Sequence, residues 1–242
     1  MPCMTGILDR VEWGGPALKL LAHCRSLDPA LPAAMHIRHS ERPQIHNPDD
    51  LHALLNERGR EAARDFGSRL PEERLYRLHH SYFDRARETA EEILKGIEDA
   101  GGEAEMVGTV DLETILDLER YNHYFERDCL EGDTPESATD YFFKWASNRY
   151  PPDEIVPTLE FAQNCARILK GDLGAEGPQS MEIYVSHDTL VMALMYHWFG
   201  MGPSRDWVRF MDGFVLQITG SMFKAYTRDT AVEIHRPHWW SS

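Results

Sequence analysis

The residues best suited to chemistry lie in the stretch Met35-His36-Ile37-Arg38-His39-Ser40-Glu41-Arg42-Pro43, where a short apolar run stops at an Arg-His pair and a second arginine follows. An imidazole can act as a nucleophile. With His39 at the carboxyl end of a strand and guanidiniums on either side, attack on a phosphate is favoured, because arginine grips phosphate oxygens in fork geometry. An Arg-His pair alone is also what a solvated surface loop carries, so the reading depends on what else the fold brings to this point.

Two further stretches have the same form. One is His79-His80-Ser81-Tyr82-Phe83-Asp84-Arg85-Ala86-Arg87-Glu88-Thr89-Ala90, the other Ile183-Tyr184-Val185-Ser186-His187-Asp188-Thr189-Leu190. Each follows a β-type run and opens a helical pattern. In a parallel α/β sheet such junctions share the carboxyl edge, where ligands bind. The gathered set would be two histidines, His39 and His187, and three arginines, Arg38, Arg42 and Arg85.

On these residues the chain resembles the histidine phosphatase superfamily. Arg38-His39-Ser40-Glu41-Arg42 is similar to the family's Arg-His-Gly-x-Arg signature. Arg85-Ala86-x-x-Thr89-Ala90 is similar to its Arg-Ala-x-Gln-Thr-Ala helix start, and His187-Asp188-Thr189 to its His-Asp-Thr stretch. Leu55-Asn56-Glu57-Arg58-Gly59, with Ala62 and Ala63, is similar to the helix start after the first motif. Arg42 and Asp188 look more like the acid phosphatase and phytase branch than the mutase branch. Two departures bear on the loop after His39: Ser40 stands where the family has glycine, and Pro43 follows Arg42 directly. The resemblance spans roughly residues 34 to 220. It implies a three-layer α/β/α sandwich with a mostly parallel central sheet, one domain over 1–242, and a small cap insertion at about 111–157.

The elements that would position these residues can be read from pattern. Pro16 to Arg25 has apolar residues at helical spacing, an added helix before the first core strand, Ala33 to Ile37. Pro43 to Asp50 reads as a loop, and Asn56 caps a helix to about Leu70. Leu75 to His80 alternates like a strand. Asp84 is expected to cap a helix from Arg85 to about Ala100, ended by Gly101-Gly102, with Arg85 in the first turn and Arg87 turned away from the pocket. Glu105 to Val110 is a strand, Leu159 to Leu169 a helix, and Gly171 to Gln179 a loop. Met181 to Ser186 is a strand, Thr189 to Phe199 a buried helix that Asp188 could cap. Phe214 to Ile218 and Met222 to Tyr226 form a hairpin at the sheet edge. The tail holds His235, His238, Trp239 and Trp240, read as exposed and not as a metal site.

Composition excludes several classes. The net charge of −15 over 242 residues, with basic residues scattered, argues against nucleic acid. The four cysteines, Cys3, Cys24, Cys129 and Cys165, show no CxxC spacing, which fits a reducing compartment and no structural zinc. The first fifteen residues fail as a secretory signal and no window approaches a membrane span of about 20 apolar residues, so the expectation is a cytoplasmic chain without membrane contact. No Walker loop, dinucleotide fingerprint or GxSxG elbow occurs.

The resemblance then implies a mechanism. Arg38, Arg42, Arg85 and His187 would hold the non-bridging phosphate oxygens while neutral His39 attacks in line, forming a phosphohistidine that water hydrolyses. Asp188 is the first candidate for the proton donor to the leaving oxygen, and Glu113, near where mutase-branch members place their acid, is the competitor. Glu41 would orient a pocket arginine. No metal or cofactor is required, since the arginines supply positive charge. The aromatic, acid-rich segment 111–157 would place some aromatics and carboxylates toward a small phosphorylated substrate. A phosphotransferase or mutase, a protein phosphohistidine phosphatase and a non-catalytic phospholigand-binding module are the alternatives.

Overall fold

The structure, a computed structural model, describes residues 6–44, 52–110, 112, 114–130, 135–175, 179–203 and 207–241. Its centre is a seven-stranded sheet built from β1 (Ala33–Arg38), β2 (Leu75–His80), β3 (Glu103–Thr109), β4 (Ser180–Ser186), β5 (Gly213–Thr219), β6 (Met222–Thr227) and β7 (Thr230–His235), in the order β3-β2-β4-β1-β5-β6-β7. The first four in that order run parallel, and the last three add antiparallel. The expected hairpin is thus two thirds of a meander. Its outer strand β7, whose side chains are largely exposed, lacks the apolar run that marks a strand in sequence.

Helices cover both faces: α1 (Gly14–Cys24), α2 (Glu57–Ser68), α3 (Asp84–Asp99), α4 (Leu118–Phe125), α5 (Pro135–Ala146), α6 (Thr158–Ala175) and α7 (Asp188–Phe199). Strand alternation sorts the central residues between two cores. Ala33, Met35 and Ile37 of β1 join Met181, Ile183 and Val185 of β4 under α1, α2 and α3. Ala34 of β1 and Tyr184 of β4 face the other way, into the core under α5, α6 and α7. Burial on both faces is why β1 and β4 are largely apolar runs, whereas β2 alternates and is only partly buried.

Several local expectations change. Asp84 is the first residue of α3 and not its cap: Phe83 occupies the cap position without a side-chain bond, and the Asp84 carboxylate pairs with Arg87 at 2.9 Å. Arg87, also bonded to Glu91, points to solvent as expected. Gly101, at φ +88°, ends the helix as its freedom at positive φ allows. The loop expected from Gly171 begins later, because α6 continues to Ala175. Trp240 is not an exposed tail residue but is 1% accessible, packed on Trp198 and Phe223 with ring centroids 5.0 and 4.6 Å away. Most of the loop expected over Pro43 to Asp50 lies outside the described residues, as do Cys3 and the side chain of Cys129. No described helix is long and apolar enough to cross a membrane.

Candidate active site

Parallel pairing aligns the three motif strands at one edge. Arg38 of β1 lies opposite Ser186 of β4, and His80 of β2 opposite Val185. The ladder reaches one residue further on two strands: the His39 N–H donates to the Ser186 carbonyl at 2.9 Å and the Ser81 N–H to the Val185 carbonyl at 3.0 Å. His39, Ser81 and His187 are therefore placed by backbone geometry at the carboxyl edge. The starts of α3 and α7 supply Arg85 and Asp188 from the same side, each in the first turn of its helix.

The loop after His39 is seated on its neighbours. Ser40, fully buried, donates its hydroxyl to the Gly59 carbonyl at 2.7 Å, while its N–H donates to Thr89 Oγ1 at 2.9 Å. A Cβ on Gly59 would come within 2.1 Å of the Glu41 carbonyl oxygen, so glycine is what lets α2 approach the loop. Asn56 caps α2 as expected, accepting from the Gly59 N–H at 2.7 Å. Glu41 pairs with Arg58 of α2, which does not line the pocket. Its expected role beside a pocket arginine is replaced by one of tying loop to helix.

His39 is 2% accessible and its tautomer is fixed. Nδ1 lies 2.7 Å from the Ser40 carbonyl, which can only accept, so Nδ1 carries the proton. Nε2 keeps its lone pair and receives Arg85 Nε–H at 3.2 Å. His187 is read the same way: Arg85 donates to Nδ1 at 3.3 Å, leaving Nε2–H to donate to Ser81 Oγ at 3.1 Å. The two rings lie 5.4 Å apart. Burial, then Arg85, Arg38, the other histidine and Arg42, holds His39 well below the usual imidazole value. Burial followed by Arg85, Arg38 and Arg42 does the same to His187. Both are neutral at neutral pH, as a nucleophile must be.

Three arginines converge on this pair, and Arg38, Arg42 and Arg85 all line one pocket with His39, His187 and Asp188. Arg85 stacks on Phe83, 4.4 Å from the ring centre; burial and then Arg42 bring its pKa down to about 10, which still leaves it charged. Arg38 donates to the Val208 carbonyl at 2.8 Å, lies over the Phe210 ring at 4.6 Å and meets Asp188 Oδ2 at 3.2 Å. Asp188 Oδ2 also accepts from Trp207 Nε1 at 2.9 Å, and Oδ1 from the Thr189 N–H at 2.9 Å. The segment Trp207–Val208–Phe210 was not apparent from the sequence, because no motif marks the stretch between α7 and β5. Ser81 was visible only as part of a longer motif.

Described residues of the 111–157 segment also line the pocket. Tyr121, Tyr141 and Trp145 reach the pocket, with Leu112, Thr114 and Ile115, whereas Phe142 is buried in the core and Phe143 faces solvent. The expected carboxylates do not appear there among the described residues. Asp128 is taken up by Arg127 and Lys144 at 2.5 Å and Tyr150 at 3.0 Å, and Glu154 by Tyr124. Glu113 lies outside the described residues, although Leu112 and Thr114 on either side line the pocket.

Possible metal-ligating atoms gather elsewhere. Among the described residues His79, Asp172 and Glu182 bring theirs within 4.8 Å of one another. All three are already paired: His79 Nε2 with Glu182 at 2.7 Å, Arg77 with Glu182 at 3.1 Å, and the Tyr184 hydroxyl donating to Asp172 at 2.6 Å. His235 and His238 belong to no such cluster among the described residues.

Comparison with known proteins identifies this arrangement. The family model described as "Histidine phosphatase superfamily (branch 1)" matches residues 36–218. The chain belongs to the histidine phosphatase superfamily. No curated protein matches it in sequence. Among solved structures it is similar to Bacillus stearothermophilus YhfR, at 20% identity and a TM-score of 0.58, over 82% of this chain and 98% of that one. A mycobacterial glucosyl-3-phosphoglycerate phosphatase gives 16% and 0.53 over 83% and 99%. A phosphoserine phosphatase variant from Entamoeba histolytica in complex with phosphoserine gives 17% and 0.52 over 82% and 98%. At such identities the likeness is one of fold. The superfamily match is to branch 1, so the likeness of Arg42 and Asp188 to the acid phosphatase and phytase branch does not carry the chain's placement.

Proposed function

We propose that this histidine phosphatase superfamily member hydrolyses small phosphomonoesters through a phosphohistidine on His39. The observation that carries the reading is the state of His39. Its Nδ1 proton is committed to the Ser40 carbonyl, and its Nε2 lone pair faces a pocket whose nearest charges are guanidiniums. A phosphate entering that space would take over the Arg85 donors, with Arg38, Arg42 and His187 on its remaining oxygens. The Nε2 lone pair then forms the N–P bond as the bond from phosphorus to the ester oxygen breaks. Attack by water breaks the N–P bond and releases inorganic phosphate. The segment 111–157 acts as a cap on the core domain and limits water around the site.

The leaving oxygen takes its proton from a carboxyl group, for which Asp188 and Glu113 compete. Among the described residues Asp188 is held by donors, Arg38, Trp207 and the Thr189 N–H. That arrangement suits a carboxylate that orients Arg38. It favours Glu113 as the donor.

The test is a two-part assay. Inorganic phosphate release from a panel of phosphorylated metabolites should be detectable, and rapid quenching with labelled substrate should trap an acid-labile, alkali-stable phosphoprotein. His39→Ala should abolish the label while retaining affinity for inorganic phosphate. A label that persists in His39→Ala removes His39 as nucleophile, and label passing to a second alcohol in place of water would make the chain a phosphotransferase.

A further inference from the structure

The segment 207–212 grips Arg38 by main chain and side chain alike. The Arg38 N–H donates to the Asp212 carbonyl at 2.9 Å, and the Met211 N–H donates to the Arg38 carbonyl at 3.2 Å. Arg38 Nη1 donates to the Val208 carbonyl while the guanidinium lies over Phe210, and Trp207 Nε1 reaches Asp188. The segment is braced in turn by Arg228, from the two-residue turn that joins β6 to β7. Arg228 Nη2 donates to the Trp207 carbonyl at 2.7 Å and to Asp212 Oδ2 at 2.5 Å, and Nε donates to the same carboxylate oxygen at 3.0 Å. One guanidinium thus bridges both ends of the segment. The Asp212 side chain is 2% accessible and also accepts from the Arg209 and Gly213 N–H groups. Arg228 does not itself line the pocket.

The backbone marks the same assembly. Among the described residues three that are not glycine have φ in the left-handed region, and two of them are Met211 at +56° and Arg228 at +46°. Arg228 opens the hairpin turn closed by the Thr227–Thr230 pair, a position where glycine is the unstrained choice. Strained residues persist where their surroundings over-determine them, and they gather at functional sites. The turn is also tied to α1, with His23 Nε2 2.7 Å from the Arg228 carbonyl and Lys19 paired with Asp229. Resting on the reading of the site as one that binds a phosphoryl group, we propose that Arg228 is a positioning residue for Arg38. It holds the segment 207–212 so that the Val208 carbonyl and the Phe210 ring set the plane of the Arg38 guanidinium. Without Arg228 the buried Asp212 carboxylate loses its ionic partner. The segment would then shift to bring that charge to water, and the Arg38 seat would go with it.

Calorimetric titration of the whole chain with inorganic phosphate tests this without turnover. Arg228→Met should weaken phosphate binding roughly 10-fold, the scale of one misaligned charge-assisted hydrogen bond. In an Arg38→Met background, where Arg42, Arg85 and His187 remain for phosphate, the same change should cost at most about 2-fold, because the loss runs through Arg38. A merely structural role would weaken binding equally in both backgrounds, and that result overturns the inference. Unchanged affinity in a folded Arg228→Met overturns it as well. Thermal unfolding shows which variants are folded. If Arg228→Met is not, Arg228→Lys carries the same cycle, since an ammonium keeps a charge beside Asp212 but lacks the fork that also reaches the Trp207 carbonyl. A wild-type chain that binds no phosphate would defeat the reading of the site and this inference together. Phosphate binding that is indifferent to both Arg228 variants defeats the inference alone.

Discussion

The most quantitative expectation concerns His36, two residues before Arg38 on β1. It is 1% accessible, and neither ring nitrogen has a hydrogen-bond partner among the described residues. Instead the ring is stacked between Tyr184 at 4.5 Å and Phe214 at 5.2 Å, with Trp198 at its edge. Burial, with a smaller push from His79, lowers its pKa from 6.5 to about 3. The folded chain therefore keeps His36 neutral while the unfolded chain protonates it, so the contribution is intact above the unfolded value of 6.5 and is lost as the pH falls toward the folded value near 3. Between about pH 7 and pH 5 the unfolded side chain takes up nearly a full proton that the folded one refuses, which costs about 2 kcal/mol of stability. His36→Phe keeps a ring in the stack and removes this titration. Urea unfolding of both proteins across that range should show the difference in unfolding free energy shifting by about 2 kcal/mol in favour of His36→Phe on acidification. Any constant cost of repacking drops out, and His39 and His187, neutral in both folded proteins, contribute alike. A difference that stays the same at both pH values would refute the buried, neutral state of His36.

Further outcomes follow from the site. Asp188→Asn should lower single-turnover rates on alkyl and nitrophenyl phosphates to a similar degree, as expected for loss of an Arg38 partner. Glu113→Gln should slow the alkyl ester selectively, by roughly 10²- to 10⁴-fold, because an alkoxide needs the proton and a nitrophenolate does not; the reverse pattern would make Asp188 the acid. Turnover should persist in the presence of a metal chelator, and loss of activity restored by added zinc or magnesium would contradict a site in which arginines carry the positive charge. Gly59→Ala should destabilise by about 1–3 kcal/mol, because its methyl group meets the Glu41 backbone. The same displacement should weaken phosphate binding through Arg42, and phosphate titration beside thermal unfolding would show whether both effects occur together.

Much of the site was legible in the sequence because strand-to-helix junctions are local signals. Arg38-His39, His80-Ser81 and His187-Asp188 each close a β-type run, and parallel pairing requires such junctions to share an edge. The register, with Arg38 opposite Ser186 and His80 opposite Val185, turns that expectation into one cluster. Capping was half legible. Asn56 caps α2 as its type suggests, while Asp84 and Asp188 both fall at the first helical position, because the preceding residues Phe83 and His187 are held extended by the chain arriving from the sheet.

What the sequence by itself determined was the family, the order of the core elements, and the two histidines and three arginines, since these depend on residue types at short, regular spacing. Tertiary structure alone decided which nitrogen of His39 carries the proton, that Glu41 serves Arg58, that Asp188 is held by Arg38 and Trp207, and that the carboxylates of Asp128 and Glu154 turn away from the pocket. It also buried Trp240 and added β7, neither of which has a local signature. The physical reason is the same in each case. A hydrogen-bond partner or a packing neighbour far along the chain is chosen by which groups end up within about 3–4 Å, and pattern over a few residues carries no record of that choice.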